Sequence, residues 1–259
     1  MRFGVLTRRN TWFGRELLER LRRRGLQPDC IGVERVTWSA RWKMARFLAR
    51  KTGLANAAYH NARIWSRLAL ASLAGERADF DYNSYCPNVL VVKNVNGPEM
   101  EQYIAGRRLD LVVLGQSGVI RENLLRLPRI GTLNCHPGPL PDFRGVDVVK
   151  WTCWARCHPR ATLHYVDRGI DTGDVIQSVP VQVLPTDGIA ELERRVIDRS
   201  LDVLVDAVAQ AAGGRDLPRV PQPRGLGRQY FLMPPWVERR LRRDWPEIRR
   251  FLLSRENVW

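Results

Sequence analysis

An asparagine and a histidine stand two residues apart in Asn134-Cys135-His136, and a carboxylate, Asp171, follows about thirty-five residues later. Together they offer the groups that acyl transfer to an amine requires. An amide N–H can stabilise an oxyanion, an imidazole can carry a proton or a positive charge, and a carboxylate can orient and charge that imidazole. The string runs on as Pro137-Gly138-Pro139-Leu140-Pro141-Asp142-Phe143-Arg144-Gly145. Its prolines fix φ and remove backbone donors, so the segment should leave the apolar strand Gly131–Cys135 as a stiff loop. Asp171 sits in a second glycine-flanked turn, Gly169-Ile170-Asp171-Thr172-Gly173-Asp174. Taken singly, each residue reads as a capping Asn, a satisfied loop His or a turn Asp. Together, between strands, they mark the candidate active site.

Those residues need a frame, and the chain supplies an alternating one. Residues 2–7, 29–36, 89–92, 110–114 and 131–135 read as strands. Thr11–Arg24, Gly97–Gly106 and Arg121–Arg126 read as the helices between them, with Pro98 in a first turn and Gly25 after a last one. Trp12, Leu17, Leu18 and Leu21 form the apolar side of the first helix. After the central motif come a helix at 146–156, strands at 161–167 and 174–183, and a long helix, 188–212, capped by Pro185-Thr186-Asp187. This is an α/β pattern: a doubly wound, Rossmann-like, mostly parallel sheet with helices on both faces and a short C-terminal extension. The turn after the first strand, Thr7–Gly14, has no Gly-x-Gly and does not read as a phosphate cradle. Lys93, Asn94 and Asn96, at the C-terminal end of a strand, are candidates for holding substrate.

The ordered string Asn134-x-His136-Pro137-Gly138-x-Leu140-Pro141-x-x-Arg144-Gly145, followed by Asp171-x-Gly173, resembles the folate-dependent formyltransferase family. That family includes glycinamide ribonucleotide, methionyl-tRNA and sugar-nucleotide N-formyltransferases. The resemblance is densest from Leu109 to Pro180. It implies 10-formyltetrahydrofolate as formyl donor, a small-molecule amine as acceptor, and Asn134, His136 and Asp171 as catalytic residues. It also implies that the Gly115-Gln116-Ser117-Gly118-Val119-Ile120 loop grips the pteridine, chiefly through the backbone at 118–120. Gly115, Ser117, Val166, Asp167 and Gly169 complete the implied folate site, and Arg144 and His164 join the substrate-binding candidates. The purine-pathway member has a glycine-rich first turn, so its absence argues against that ribonucleotide. A phosphorylated or nucleotide-linked amine such as an amino sugar is the preferred acceptor. The alternatives are a tRNA or other macromolecule, water (a formyl-folate hydrolase), or a non-enzymatic polyanion-binding module on the same fold. Only 46 residues follow Gly213, too few for the C-terminal barrel of the tRNA-directed members.

The net charge of +15 is uneven. Residues 1–36 carry nine Arg against four acids, 37–75 seven Lys/Arg and no acid, and 214–259 eleven Arg against five acids. The stretch 76–213 has fifteen bases and eighteen acids, so the catalytic core is slightly acidic inside a basic rim. Such a rim attracts an anionic substrate, a lipid surface or nucleic acid by the same field, with nucleic acid and membrane the weaker readings. Residues 1–213 are expected to form the catalytic domain and 214–259 a Pro/Arg-rich tail with a C-terminal helix. Within the domain, 37–75 reads as a basic helical insertion of two helices. Its Trp38, Trp42, Met44, Phe47, Leu48 and Trp65 pack on the core, cover a substrate pocket or dip into a membrane surface. The C-terminal helix, 236–253, carries an apolar stripe for docking on its own core or on a second copy in a homodimer. Residues 215–235, rich in proline, read as an extended tail. Five cysteines at irregular spacing give no disulfide framework, and Cys153-x-x-x-Cys157-His158 has the wrong spacing for zinc. No metal is expected, and a reducing cytoplasm is the expected setting.

Overall fold

The computed structural model describes residues 1–73, 80–223 and 225–255, without the side chains of 65 and 67–73. Seven strands form the central sheet, in the order β3-β2-β1-β4-β5-β7-β8. They are β1 (Phe3–Arg8), β2 (Cys30–Glu34), β3 (Val89–Val92), β4 (Leu111–Gly115), β5 (Gly131–His136), β7 (Arg160–Tyr165) and β8 (Val175–Pro180). The first five run parallel, and β7 and β8 add as antiparallel strands at one edge. Strand order reverses at β1 and β4. There the chain leaves two neighbouring strands in opposite directions and opens a crevice at their carboxyl ends. Thr7 Oγ1 donates to the Gly115 carbonyl at 2.6 Å, tying the two strands together at that point.

Both faces of the sheet are buried, as continuous apolar strands require. Val5, Val113, Leu133 and Leu163 pack with α1 (Trp12–Arg23), α7 (Ile189–Ala212) and α8 (Pro235–Ser254). Leu6, Val112 and Leu114, one residue out of phase, pack with Met100 and Ile104 of α4 (Pro98–Ala105) and Leu124 of α5 (Glu122–Leu125). Arg20 of α1 reaches Asp198 and Asp202 of α7 at 2.9 and 2.8 Å, fixing the two helices side by side. Trp12, expected on the buried side of α1, is exposed, because it is the first helical residue and lies beyond the edge of the sheet.

The insertion forms a hairpin of α2 (Trp38–Thr52) and α3 (Leu54–Leu73). Leu48 is buried, but Trp38 and Trp42 are not, so a core role for those two indoles is corrected; the reading of the Trp65 side chain lies outside the described residues. The segment 215–235, expected as an extended tail, is extended and largely exposed but is tied to the domain at several points. Its β9 (Arg228–Tyr230) pairs with β6 (Phe143–Gly145), immediately after the proline loop, and Tyr230 stacks on Phe143 at 5.3 Å. Trp151 of α6 (Val148–Trp154) donates to the Phe231 carbonyl at 2.7 Å, and Met233 is fully buried. Proline content signalled extension correctly but hid the pairing, since Arg228–Tyr230 contains no proline.

Asp187 was expected to cap α7. The cap is Gly188, without a side-chain hydrogen bond. The Asp187 carboxylate instead accepts both terminal nitrogens of Arg195 and, at 2.7 Å, the Leu184 amide. Its backbone carbonyl accepts from Trp245 Nε1 at 2.7 Å and Arg249 Nη1 at 2.9 Å, which seats α8. Burial opposes the charge on Asp187, but the hydrogen bonds from Arg195 and Leu184 outweigh it and hold the carboxyl below its ordinary range. Because the unfolded chain binds the proton more readily, stability rises with pH across this window. The Asp187 contribution is expected to be complete above about pH 5 and to fade as pH falls through ~4. Urea unfolding of Asp187→Ala is expected to show a loss of ~1–3 kcal/mol at neutral pH, because it removes the acceptor of Arg195 and of the Leu184 amide, and a smaller loss in acid.

Candidate active site

The antiparallel pairing of β5 with β7 sets Asn134 opposite His164 and His136 opposite Thr162, with Cys135 and Leu163 turned to the core between them. One strand face thus carries an amide and two imidazoles. His164 Nδ1 donates to the Tyr165 carbonyl at 2.8 Å, which leaves Nε2 as the acceptor for Asn134 Nδ2 at 3.2 Å. Burial holds the His164 imidazole below its ordinary range, with the nearby His136 adding to the effect and Asp171 opposing it. The neutral ring can therefore keep that lone pair. The arrangement fixes which end of the Asn134 amide faces which way, and one of its N–H groups stays uncommitted.

His136 is held just as definitely. Its Nε2 donates to the Phe143 carbonyl at 2.7 Å, across the proline loop, so Nδ1 is the nitrogen left for chemistry. The turn between β7 and β8 brings Asp171 to both rings, 3.5 Å from His136 Nδ1 and 3.6 Å from His164 Nε2. Asp171 adopts a left-handed φ of 54°. Gly145 N donates to its carboxylate at 2.9 Å, and Gln222 Nε2 donates to its backbone carbonyl at 3.0 Å. Gly145 has a φ of 101°, and a Cβ there would collide with the Tyr230 carbonyl, so this donor position needs glycine.

Two cavities open from this cluster. One, of about 400 Å³, runs beneath α2 and is walled by Met44, Phe47, Ile120, Val166 and Tyr230. The other, of about 440 Å³, runs towards α7 and is lined by Phe13, Asp147, Glu193, Ile197 and Ser200. They share Gln116, Ser117, Asn134, Gly145, Val146 and Asp171, so the candidate catalytic groups sit where the two arms join. Burial pushes the Glu193 carboxyl up, against the pull of Lys150 at 4.0 Å.

Of the sequence candidates, Ser117, Gly118, Val119, Ile120, Val166, Asp167, Gly169 and His164 line the α2-side arm. Gly115 lies behind it, hydrogen-bonded to Thr7. Asn96 braces that arm from outside: it donates to the Val119 carbonyl at 2.9 Å and accepts from Arg121 N at 2.7 Å. Lys93 and Asn94 are exposed beyond edge strand β3 and line neither arm, because β3 lies two strands from the switch point. Arg144 is turned to the carbonyls of Leu226 and Gly227, both at 3.2 Å, and also lines neither arm. Sequence reasoning missed Gln116, Gln222, Tyr230 and Glu193. Gln116 could have been found from its place inside the glycine-flanked loop; the other three come from segments that carry no local motif.

A sequence profile described as Formyl transferase matches residues 1–208. The methionyl-tRNA formyltransferase of Syntrophus aciditrophicus (strain SB) is 28% identical over 141 residues, 54% of this chain and 45% of that protein. The chain thus spans less than half the length of that curated relative. Glycinamide ribonucleotide transformylase 1 from Symbiobacterium toebii superimposes with a TM-score of 0.57 at 19% identity, covering 86% of this chain and 93% of that one. The formyltransferase PseJ from Anoxybacillus kamchatkensis, solved with UDP-4,6-dideoxy-4-formamido-L-AltNAc and tetrahydrofolate, gives 0.50 at 20% identity, covering 73% and 92%. At such identities the two structures speak for the fold. The profile spans all seven strands of the central sheet and every residue of the Asn134, His136 and Asp171 cluster, and this chain belongs to the formyl transferase family.

Proposed function

We propose that this chain moves a formyl group from 10-formyltetrahydrofolate to the amine of a small molecule held in the α7-side arm. The observation that carries the reading is the junction of two differently built cavities at Asn134 and Asp171. The α2-side arm suits a folate: Met44, Phe47, Ile120 and Val166 offer apolar walls to a flat ring, and the backbone at 118–120 can meet its polar edge. Glycine at 118 leaves that backbone without a side chain between it and the arm. Bound there, formyl-folate would supply an activated formyl carbon. Tetrahydrofolate in the PseJ complex supports the same donor.

The remaining steps belong to the chain. Asn134, held by His164, keeps one N–H for an oxygen that gains negative charge, an effect worth roughly 3–4 kcal/mol per good donor. His136 takes or returns a proton at Nδ1, its other nitrogen being committed to Phe143. Asp171, fixed by Gly145, orients that ring and relays a proton from the attacking nitrogen, directly or through water, to the folate nitrogen that leaves as its bond to the formyl carbon breaks. On the acceptor side the described lining holds Asp147, Asp171 and Glu193 and no Lys or Arg. Such a wall favours an acceptor that brings hydroxyl or ammonium donors, as an amino sugar does, with any phosphate or nucleotide lying outside this arm. A second reading, formylation of an aminoacylated tRNA, is favoured by the methionyl-tRNA formyltransferase relatives.

Incubation with formyl-folate and a panel of nucleotide-linked amino sugars, free amines and charged tRNA separates the two. Formylation of a small amine is expected; formylation of tRNA alone would replace the first reading with the second. In the active pairing, Asn134→Ala is expected to lower kcat by ~10²–10³-fold with little change in donor KM. His164→Phe removes the group that positions the amide while keeping a ring in the wall of the α2-side arm, and its kcat loss is expected to be smaller than that of Asn134→Ala. It should also flatten an acid limb of stability. A histidine held neutral by the fold favours folding fully above ~6.5, its unfolded value, and loses that contribution as pH falls below it. Thermal unfolding of wild type and His164→Phe across that range checks the sign.

A further inference from the structure

The hairpin of α2 and α3 has two differently built faces. Its inner face is seated on the chain that leads into α8. Phe47 meets Phe231 at 6.2 Å, Asn56 Nδ2 donates to the Leu232 carbonyl at 3.2 Å, His60 Nε2 contacts the Met233 carbonyl at 3.0 Å, and Arg63 pairs with Glu238 at 3.3 Å. The outer face is the more exposed of the two. Trp38 and Trp42 are 65% and 67% exposed, and their four-residue spacing places both indoles on one side of α2. Lys43, Arg46 and Arg50 flank that stripe. An apolar hollow of about 260 Å³ lies among Trp38, Arg41, Trp42, Ala45 and Asn61, between the helices. The exposed surface of α3 is uncharged over Leu54, Ala55, Ala58, Tyr59, Ala62 and Ile64, with Leu54 at the hairpin tip 80% exposed.

Residues 37–64 hold six Lys/Arg and no Asp or Glu. Exposed indoles beside cations, next to an uncharged apolar helix face, are the composition of a surface that rests on lipid headgroups: indoles sit at the interface and cations meet anionic phosphates. We propose that the outer face of the α2–α3 hairpin docks on an anionic phospholipid surface. Charge favours this occupant over the others. A second copy would bring the same cations against each other. A polynucleotide would satisfy the cations and leave the apolar face of α3 in water. The inner side of α2 lends Met44, Phe47 and Leu48 to the donor-side arm, so the docking face and the catalytic cavity share one helix.

Sedimentation of the full chain with vesicles of phosphatidylcholine, with and without phosphatidylglycerol, tests this. Wild type is expected to pellet with the anionic vesicles, and to bind roughly 10-fold or more weakly to neutral ones and at raised salt. Trp38→Ser/Trp42→Ser and, separately, Arg46→Glu/Arg50→Glu are each expected to lose ~10-fold or more while unfolding at the wild-type temperature. Either variant suffices if the other does not fold. Failure of wild type to bind anionic vesicles, or equal binding by a folded variant, overturns the proposal. So does a dimer in light scattering that Trp38→Ser/Trp42→Ser dissolves, or tighter binding to single-stranded DNA than to the vesicles.

Discussion

The hydrogen bond from Asn134 to His164 Nε2 exists because β5 and β7 run in opposite directions with those two residues in register. A shift of one residue in either strand would turn its side chain to the other face and break the bond. The bond also requires a neutral His164, and burial provides it, with Nδ1–H spent on the Tyr165 carbonyl. Once that ring is fixed, the amide has one orientation, and Asp171 can lie between two imidazoles without neutralising either by direct contact. Asn134 and His136 stand on the last parallel strand, and His164 on the antiparallel strand beside it, so the cluster forms where the sheet changes from one pairing to the other.

The walls around that cluster come from far away in the chain. The C-terminal segment lends Gln222 to the Asp171 turn and Tyr230 to the α2-side arm, and β9 can pair with β6 only where Gly145 allows the backbones to meet. The hairpin at 38–73 closes the other side of the same arm. A core made of nearby strands and helices is thus completed by two segments that a minimal doubly wound sheet does not need. Both are strongly basic, whereas the lining of the α7-side arm is acidic. That contrast separates what the rim attracts from what the cavity holds.

Much of this was legible in the residues. Apolar runs such as Leu111–Gly115 and the caps and glycines between them signalled the alternating frame, and the spacing of Asn134, His136 and Asp171 pointed to a single cluster. The placements that differ from the local signals fall where tertiary contacts override them. Asp187 looks like a cap but is claimed by Arg195 and Leu184. Trp42 looks like a core residue but faces outward. Lys93, Asn94 and Arg144 have substrate-binding chemistry, yet β3 lies at the sheet's edge and Arg144 is drawn to the carbonyls of Leu226 and Gly227. Glu193 was invisible because a single carboxylate on an amphipathic helix looks like any solvated one until the cavity beside it is seen.

A folate in the α2-side arm is the central element of the proposed reaction. Titration calorimetry with a stable folate analogue, on wild type and on Gly118→Trp, tests it most directly, since position 118 lines that arm and not the other. Saturable binding by wild type that the tryptophan abolishes is the predicted result. Absence of binding by wild type, or undiminished binding by a folded Gly118→Trp, would contradict the two-arm account at its foundation.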